Sequence, residues 1–439
     1  MRDTRWRRGA PGRLRLAARP PLSTLPGRRR QSWRGQDEGH HHQPAERHAP
    51  ATQLERVASQ PGDQGTQHQG IPRATGAHGR KVKTPPAPRM TPPWPVDMQR
   101  AQDRWDTCDR PSGGDPVTPS GATVRPTAPT SATPVRELTR PPRLVAGDRV
   151  VVVSPSGSSP KDRIATGVAM LRDWGLEVEV APSAGARSDR FGYLAGDDEA
   201  RARDLQEAWC DPSVAAVLCA RGGYGVQRLL EHLDWDAMRA AGPKVLAGYS
   251  DITALHSAIA THLGLVSLHA PMVATEVFVN DERSAEHLRL TLFEPEETQT
   301  LSSDTARALV PGQARGVTVG GCLSLLAAEL GTPTGLPSAA GAVLLLEDVD
   351  EKAYRIDGYL THLLRSGWLD GVAGVAVGSW QGCEPVEELV HDRLSALGVP
   401  ILWDLGFGHC PSTLTVPLGV TVTLDADAGT LVLDDPALA

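Results

Sequence analysis

The sequence predicts an α/β protein: a mainly parallel-sheet, Rossmann-like N-terminal domain, then a smaller C-terminal α+β domain, with a disordered basic extension ahead of both. Three observations carry this. The texture breaks near residue 140, where a basic, proline-rich stretch gives way to an acidic one rich in apolar runs. From there to about 263, short β-branched runs alternate with helical periodicity. Beyond about 316, apolar runs end in an alternating pair of strands. Residues 1–140 carry 24 Lys and Arg against 12 Asp and Glu and hold 20 of the 37 prolines. The remainder carries 21 basic and 40 acidic side chains, so the net charge of −7 describes neither part.

The extension has no long apolar periodic run to offset the entropy of ordering, hence the expectation of disorder over 1–140. Arg28-Arg29-Arg30 and His40-His41-His42 have no spacing that sets a binding geometry. The segment reads as a dispensable extension or a gene-start artefact, with translation beginning near Met98 or Val135; mass spectrometry of the native N-terminus decides between them.

In the folded part, Val150–Val153 is a buried strand closed by Ser154-Pro155-Ser156-Gly157. A helix follows from Ile164 to Trp174, capped by Gly175, then a strand at Leu176–Val180. Asp197–Trp209 reads as a helix and Val214–Cys219 as the third strand. Arg221-Gly222-Gly223-Tyr224-Gly225 leads to a helix over Val226–Leu233. Lys244–Gly248 is the fourth strand, broken at Tyr249-Ser250-Asp251 before a helix over Ile252–Leu263. Right-handed crossovers make such a sheet parallel and cover both faces, and its sites form where loops leave the carboxyl ends of strands. The parallel pattern fades after Val279. Domain bounds are set at 141–279, a helical-looking connector at 280–315, and 316–439 with strands at Ala342–Leu346 and Gly374–Val377 and a final pair about Asp425–Gly429.

Composition excludes several classes. There is no run of about 18 apolar residues to span a membrane. The Arg-rich start lacks the apolar core of a secretory signal. Six scattered cysteines (Cys108, Cys210, Cys219, Cys322, Cys383, Cys410) lack zinc or disulfide spacing and read as reduced, mostly buried thiols in a cytoplasmic protein. An acidic folded part disfavours general nucleic-acid binding.

Gly248-Tyr249-Ser250-Asp251 puts a serine on a strand-to-helix turn, a geometry that exposes Oγ and aims helix N–H groups at it. It is not G-x-S-x-G, since Ile252 stands in the second glycine's place, and on the turn alone a simple helix cap by Ser250 beside Asp251 is the favoured reading. A nucleophile needs a base and an orienting acceptor. His256, His262 and His269 read as packing or surface residues, whereas His409 lies in the glycine-flanked loop Gly406-Phe407-Gly408-His409. Glu347 ends an apolar strand, with Asp348 and Asp350 as surface neighbours or substitutes.

With these residues in hand, the chain resembles the LD-carboxypeptidase family of serine peptidases, which includes muramoyl-tetrapeptide carboxypeptidases and microcin C self-immunity proteins. The resemblance rests on Val151–Gly157, Phe191–Asp198, Arg221–Gly225, Gly248–Thr253, Leu346-Glu347-Asp348 with Glu351 and Tyr354, and Gly406–His409, in the family's order. It implies Ser250 as nucleophile, His409 as general base and acid, and Glu347 as the residue orienting the imidazole. It further implies an active site between the two domains, backbone N–H groups of Asp251 and Gly223 as oxyanion hole, no metal or other cofactor, and a homodimer acting on a murein peptide. Two positions depart from the family: Cys322 stands where Asn is common in Gly320-Gly321-Cys322-Leu323, and Gly358 where arginine is frequent. Cysteine lacks the amide's hydrogen-bonding capacity; a Cys322 nucleophile is the minor alternative. Within the family the other reading is an amidase acting on aminoacyl-nucleotide antibiotics. Trp380 is placed either to stack on such a ligand or to pack in the core. A non-catalytic nucleotide-binding module, resting on Arg221–Gly225, is the reading from another class; the motif lacks the lysine of a phosphate-binding loop.

Overall fold

The structure, a computed structural model, describes residues 133–439. The arginine run, His40–His42, Cys108 and the expected disorder of the extension up to residue 132 lie outside the described residues.

The run Val150–Val153 forms β1 (Arg149–Val153), whose side chains alternate between two cores. Val150 and Val152 face one and Val151 and Val153 the other. The chain continues through α1 (Lys161–Asp173), β2 (Glu177–Val180), α2 (Asp198–Cys210), β3 (Val214–Cys219) and α3 (Val226–Leu229). Next come α4 (Trp235–Ala241), β4 (Val245–Gly248), α5 (Thr253–Leu263) and β5 (Ser267–His269). β1 to β5 pair in parallel. The helix expected over 226–233 is cut short: α3 gives way to a 3-10 turn at Leu230–His232, and Asp234 caps α4 instead, accepting hydrogen bonds from Asp236 and Ala237 N–H.

After α6 (Glu276–Asn280) and α7 (Glu282–Phe293) the chain builds β6 (Thr300–Ser302), β7 (Arg307–Val310) and β8 (Gln313–Cys322). These strands, inside or overlapping the stretch assigned to a connector, pair into the second sheet. That sheet is completed by β9 (Ala342–Glu347), β10 (Gly374–Val377), β11 (Ile401–Trp403), β13 (Thr421–Asp425) and β14 (Thr430–Leu433), while β12 (Val416–Leu418) goes elsewhere. Four of its strands, β8 to β11, are parallel. β8 begins inside the stretch assigned to a connector and β11 has only three residues, which hid this from periodicity. α8 (Leu323–Ala328), α9 (Ala353–Arg365) and α10 (Glu387–Leu394) cover one face; α9 buries Ile356, Leu360 and Leu363, the stripe expected of an amphipathic helix.

Two features join the sheets. β12 returns to the first one, pairing antiparallel with β5 through Val416 opposite His269. A single core also runs through both, holding Val150 and Val152 of β1 with Val343 and Leu345 of β9. Residues 133–140, which the sequence reading assigned to the extension, are held by backbone bonds: Val135 N–H to Ala340 O at 2.8 Å, Leu138 N–H to Gly419 O at 2.8 Å and Thr139 N–H to Gly264 O at 2.9 Å. An extended segment with few apolar residues has no period to read, yet pairing its backbone satisfies it.

Candidate active site

Ser250 sits at the carboxyl end of β4, where the chain turns before α5. Its φ is 65°, in the left-handed region that a side chain enters at a cost of about 1–3 kcal/mol. No side-chain cap bond forms at this helix start, so the capping alternative fails. The cap is made elsewhere. The buried Asp251 carboxylate accepts the Val226 N–H at 2.9 Å, at the start of α3, and the Ser156 hydroxyl. One side chain thereby ties the serine turn to both the β1 loop and the glycine loop. Arg201, buried on α2, completes the tie by donating to Pro155 O and to Gly225 O at 3.0 Å. Neither role was legible in sequence, where both residues pass for ordinary charged groups of a helix or turn.

Gly222 shows how closely the glycine loop approaches. A Cβ there would stand 2.8 Å from Ser250 Cβ, 3.0 Å from its Oγ and 3.4 Å from Asp251 N. Gly222→Ala is therefore expected to displace the hydroxyl and lower kcat at least about 100-fold, the scale of a lost oxyanion donor, with a smaller change in Tm. Steady-state kinetics beside a thermal melt checks this; unchanged kcat refutes it.

Glu347 ends β9, fully buried, and His409 reaches it from the loop after β11. His409 Nδ1 lies 2.6 Å from Glu347 Oε2, and the His409 backbone N–H donates to the same oxygen at 3.2 Å. Gly408 makes the approach possible: its φ is 92°, and a Cβ there would lie 2.6 Å from Oε2. Burial opposes ionisation of Glu347, but the facing His409 and then His269 outweigh it and hold the carboxyl at about 2. For His409, burial lowers the pKa, yet the Glu347 charge and hydrogen bond raise it above the ordinary histidine value. With Nδ1 committed to the carboxylate, Nε2 is the free nitrogen. The Tyr249 ring, immediately before Ser250, packs on the imidazole at 4.7 Å between centroids. No hydrogen bond joins Ser250 Oγ to His409 Nε2 among the described residues; such bonds often tighten only with substrate bound.

His269 is the residue that sequence reasoning missed. Read as packing or surface, it is buried between the Tyr249 and Phe407 rings with Nε2 3.6 Å from Glu347 Oε1. The apolar context of β5 masked it; its meaning depends on a strand of the other sheet. His269→Leu is expected to cost about 1–3 kcal/mol by removing the polar neighbour of a buried carboxylate oxygen that has no hydrogen-bond partner of its own, with partial recovery in His269→Asn. Urea denaturation at pH 7 measures it, and a leucine variant as stable as wild type refutes it. His256 is a core residue: Nε2 meets Gly248 O at 2.9 Å and Nδ1 meets Ser267 Oγ at 2.8 Å, with burial pulling its pKa to about 3.

Asp348, expected as a surface neighbour of Glu347 or a substitute for it, is buried and accepts Ser324 N–H at 2.8 Å and Val349 N–H at 2.9 Å. Such a carboxylate needs donors, which the neighbouring backbone supplies. Cys322 Sγ lies 3.3 Å from Asp348 Oδ1, and its backbone N–H donates to Thr253 Oγ1 at 3.0 Å, bridging β8 to the serine helix. Burial, then the Glu347 and Asp348 charges, push this thiol well above its ordinary pKa, so it stays protonated and is unsuited to attack. At Gly358 a larger side chain would meet only open space. Trp380 packs at the edge of the second sheet's core. Of the cysteines, Cys219 and Cys322 are buried and Cys210, Cys383 and Cys410 half-buried, all as free thiols. Among the described residues no group of three or more His, Cys, Asp or Glu is placed to hold a metal ion, and no helix is long and apolar enough to cross a membrane.

Profiles of the LD-carboxypeptidase N-terminal and C-terminal domains match residues 150–270 and 315–424. A Streptomyces coelicolor protein, provisionally named a carboxypeptidase, is 62% identical over 307 residues, covering 69% of this chain and 99% of that one. The chain belongs to the LD-carboxypeptidase family. It is thus a serine-type carboxypeptidase by family, and other members extend the comparison. The murein tetrapeptide carboxypeptidase of Pseudomonas aeruginosa is 32% identical over 298 residues, 64% of this chain and 94% of its own. A crystal structure of a Bacillus anthracis protein, described as like the microcin C7 self-immunity protein, superimposes with a TM-score of 0.59 at 27% identity, covering 67% of this chain and 98% of that chain.

Proposed function

We propose that this LD-carboxypeptidase hydrolyses the amide bond to the terminal D-alanine of an L,D-linked murein tetrapeptide through Ser250, His409 and Glu347. The observation carrying this reading is the buried Glu347 holding His409 Nδ1 at 2.6 Å, with Tyr249 of the strained serine turn against the same imidazole. Residues 141–279 supply the nucleophile, and 316–439 the acid and base, so the site lies between two domains.

Ser250 Oγ attacks the amide carbonyl as His409 Nε2 takes its proton, and Glu347 stabilises the imidazolium. The tetrahedral oxyanion is received by the N–H groups of Asp251 and Gly223. His409 returns the proton to the departing D-alanine nitrogen, leaving an acyl-enzyme on Ser250. Water, deprotonated by His409, then releases the shortened peptide and regenerates the serine. No cofactor takes part in these steps, and we place the enzyme in the cytoplasm as a homodimer.

The murein tetrapeptide carboxypeptidase of Pseudomonas aeruginosa supports this substrate. The likeness to the microcin C7 self-immunity fold supports a second reading, cleavage of aminoacyl-nucleotides by the same triad. Wild type and Ser250→Ala, incubated with L-Ala-D-Glu-diaminopimelate-D-Ala and a chelator, separate them. D-Alanine release by wild type alone supports the carboxypeptidase. Its absence from well-folded wild type turns the assignment to aminoacyl-nucleotides. Equal release by both proteins removes Ser250 as nucleophile.

A further inference from the structure

We propose that the cavity beside the glycine loop is a subsite for an anionic group of the substrate, read by Arg187 and Arg221, and that this subsite sets specificity. The inference rests on the hydrolytic reading above and extends it to the substrate's charge. The cavity measures about 680 Å³ and opens beside Gly157 and Gly223. Gly222, the next residue of the loop, lies against Ser250 Oγ, so a substrate bound at the serine has this cavity one residue away along the loop.

Three independent features give the cavity an anion's complement. Arg187 and Arg221 both line it, and neither pairs with a carboxylate among the described residues. Arg187 Nε donates to Gly192 O at 2.7 Å and Arg221 to Ser158 O at 3.1 Å, leaving other guanidinium N–H groups free. No acidic side chain lines the cavity, although acids outnumber bases 40 to 21 in this part of the chain. Other arginines of the body, such as Arg143, Arg149 and Arg228, are paired.

The second feature is α1, a 13-residue helix entered through Ser158, Ser159 and its N-cap Pro160, which line the cavity. Pro160 is its N-cap, with no side-chain cap bond, so the positive end of the helix has no side-chain acceptor there. Asp162, on the same turn, is exposed and is not part of the lining. The third is Ser159, a lining residue 5% exposed, whose Oγ is buried without a hydrogen-bond partner. A buried hydroxyl without a partner is costly, and a ligand oxygen reached by rotation about χ1 would relieve it. Tyr193 and Tyr224, edge to face at 6.0 Å, wall the opening.

Two guanidinium groups beside the positive end of a helix suit a multi-oxygen anion. A murein tetrapeptide offers carboxylates besides the one at its cleaved end; an aminoacyl-nucleotide offers a phosphate. The test measures hydrolysis by the full chain of the free tetrapeptide and of peptides amidated in turn at D-glutamate and at diaminopimelate. It compares wild type with Arg187→Gln and Arg221→Gln. In wild type one amidation is expected to raise KM about 10-fold or more, the scale of a lost charged hydrogen bond. Each arginine substitution should do the same for the free peptide, leave kcat nearly unchanged, and have no effect on the amidated one. Equal KM for all peptides in all three proteins overturns the subsite while leaving the carboxypeptidase intact. Should folded wild type cleave no peptide, the hydrolytic reading for murein fails and a nucleotide arm decides. Aspartyl sulfamoyl adenosine is titrated into Ser250→Ala with and without Arg221→Gln. Binding weakened about 10-fold by the glutamine upholds an anion subsite, and equal binding overturns it.

Discussion

Replacing Ser250 with alanine is expected to lower kcat by a factor on the order of 10⁵–10⁶ while leaving the fold intact, the scale seen when a serine nucleophile is removed from a working triad. Its conformation sharpens the test. Among the described residues three non-glycine residues have positive φ, and Ser250 is the one that directly follows Tyr249, whose ring packs on His409. Strain of this kind persists where the surroundings enforce it. Here Asp251 locks the turn to the start of α3, and Gly222 closes on the hydroxyl from the other side. Ser250→Gly is accordingly expected to be as inactive as the alanine variant but about 1 kcal/mol more stable than it, because glycine adopts φ near 65° without a Cβ penalty. Chemical denaturation of both variants, beside their turnover, measures this. Retained activity in either variant would remove Ser250 from the chemistry; equal stability would remove the strain argument.

Glu347→Gln is expected to lower kcat on the order of 10⁴-fold, the scale found when a serine protease loses the charge behind its histidine. The buried site accepts the isosteric amide, so the loss is electrostatic and tautomeric. The pH profile should change with it. In the proposed mechanism His409 acts as a base only when neutral, so kcat/KM in wild type is expected to rise with pH through a pKa above the ordinary 6.5. Without the carboxylate the main influence raising that pKa is gone, and burial, which lowers it, prevails. The acid limb should therefore move to lower pH in the glutamine variant. A limb that stays in place would show that Glu347 does not govern His409.

Stability follows the opposite sense for the two partners. The raised pKa of His409 means its contribution is complete below about 6.5, its unfolded value, and is lost as pH rises through the folded value. The depressed pKa of Glu347 means its contribution is complete above about 4.5 and is lost as pH falls toward about 2. Wild type should therefore exceed Glu347→Gln in stability most clearly between about pH 4.5 and 6.5. Urea midpoints across that range check the window.

The sequence by itself determines most local elements of the first sheet and their order, and several strands of the second. Val150–Val153, Val214–Cys219 and Ala342–Leu346 must be buried, because water does not tolerate exposed segments of that composition, and their short length between turn residues reads as strand. Gly248–Asp251 and Gly406–His409 announce a turn and a loop able to carry a serine and an imidazole. Tertiary structure alone decides what meets what. His269 becomes a neighbour of Glu347, and Asp251 becomes the cap of a helix 25 residues away in sequence, because parallel crossovers bring the carboxyl ends of separate strands together. β12 leaves the C-terminal strands for the first sheet because Val416 finds its backbone partners beside His269. Periodicity reports which face of an element is buried. It carries no record of the partner that buries it, since long-range pairing is settled by how two sheets close on one core.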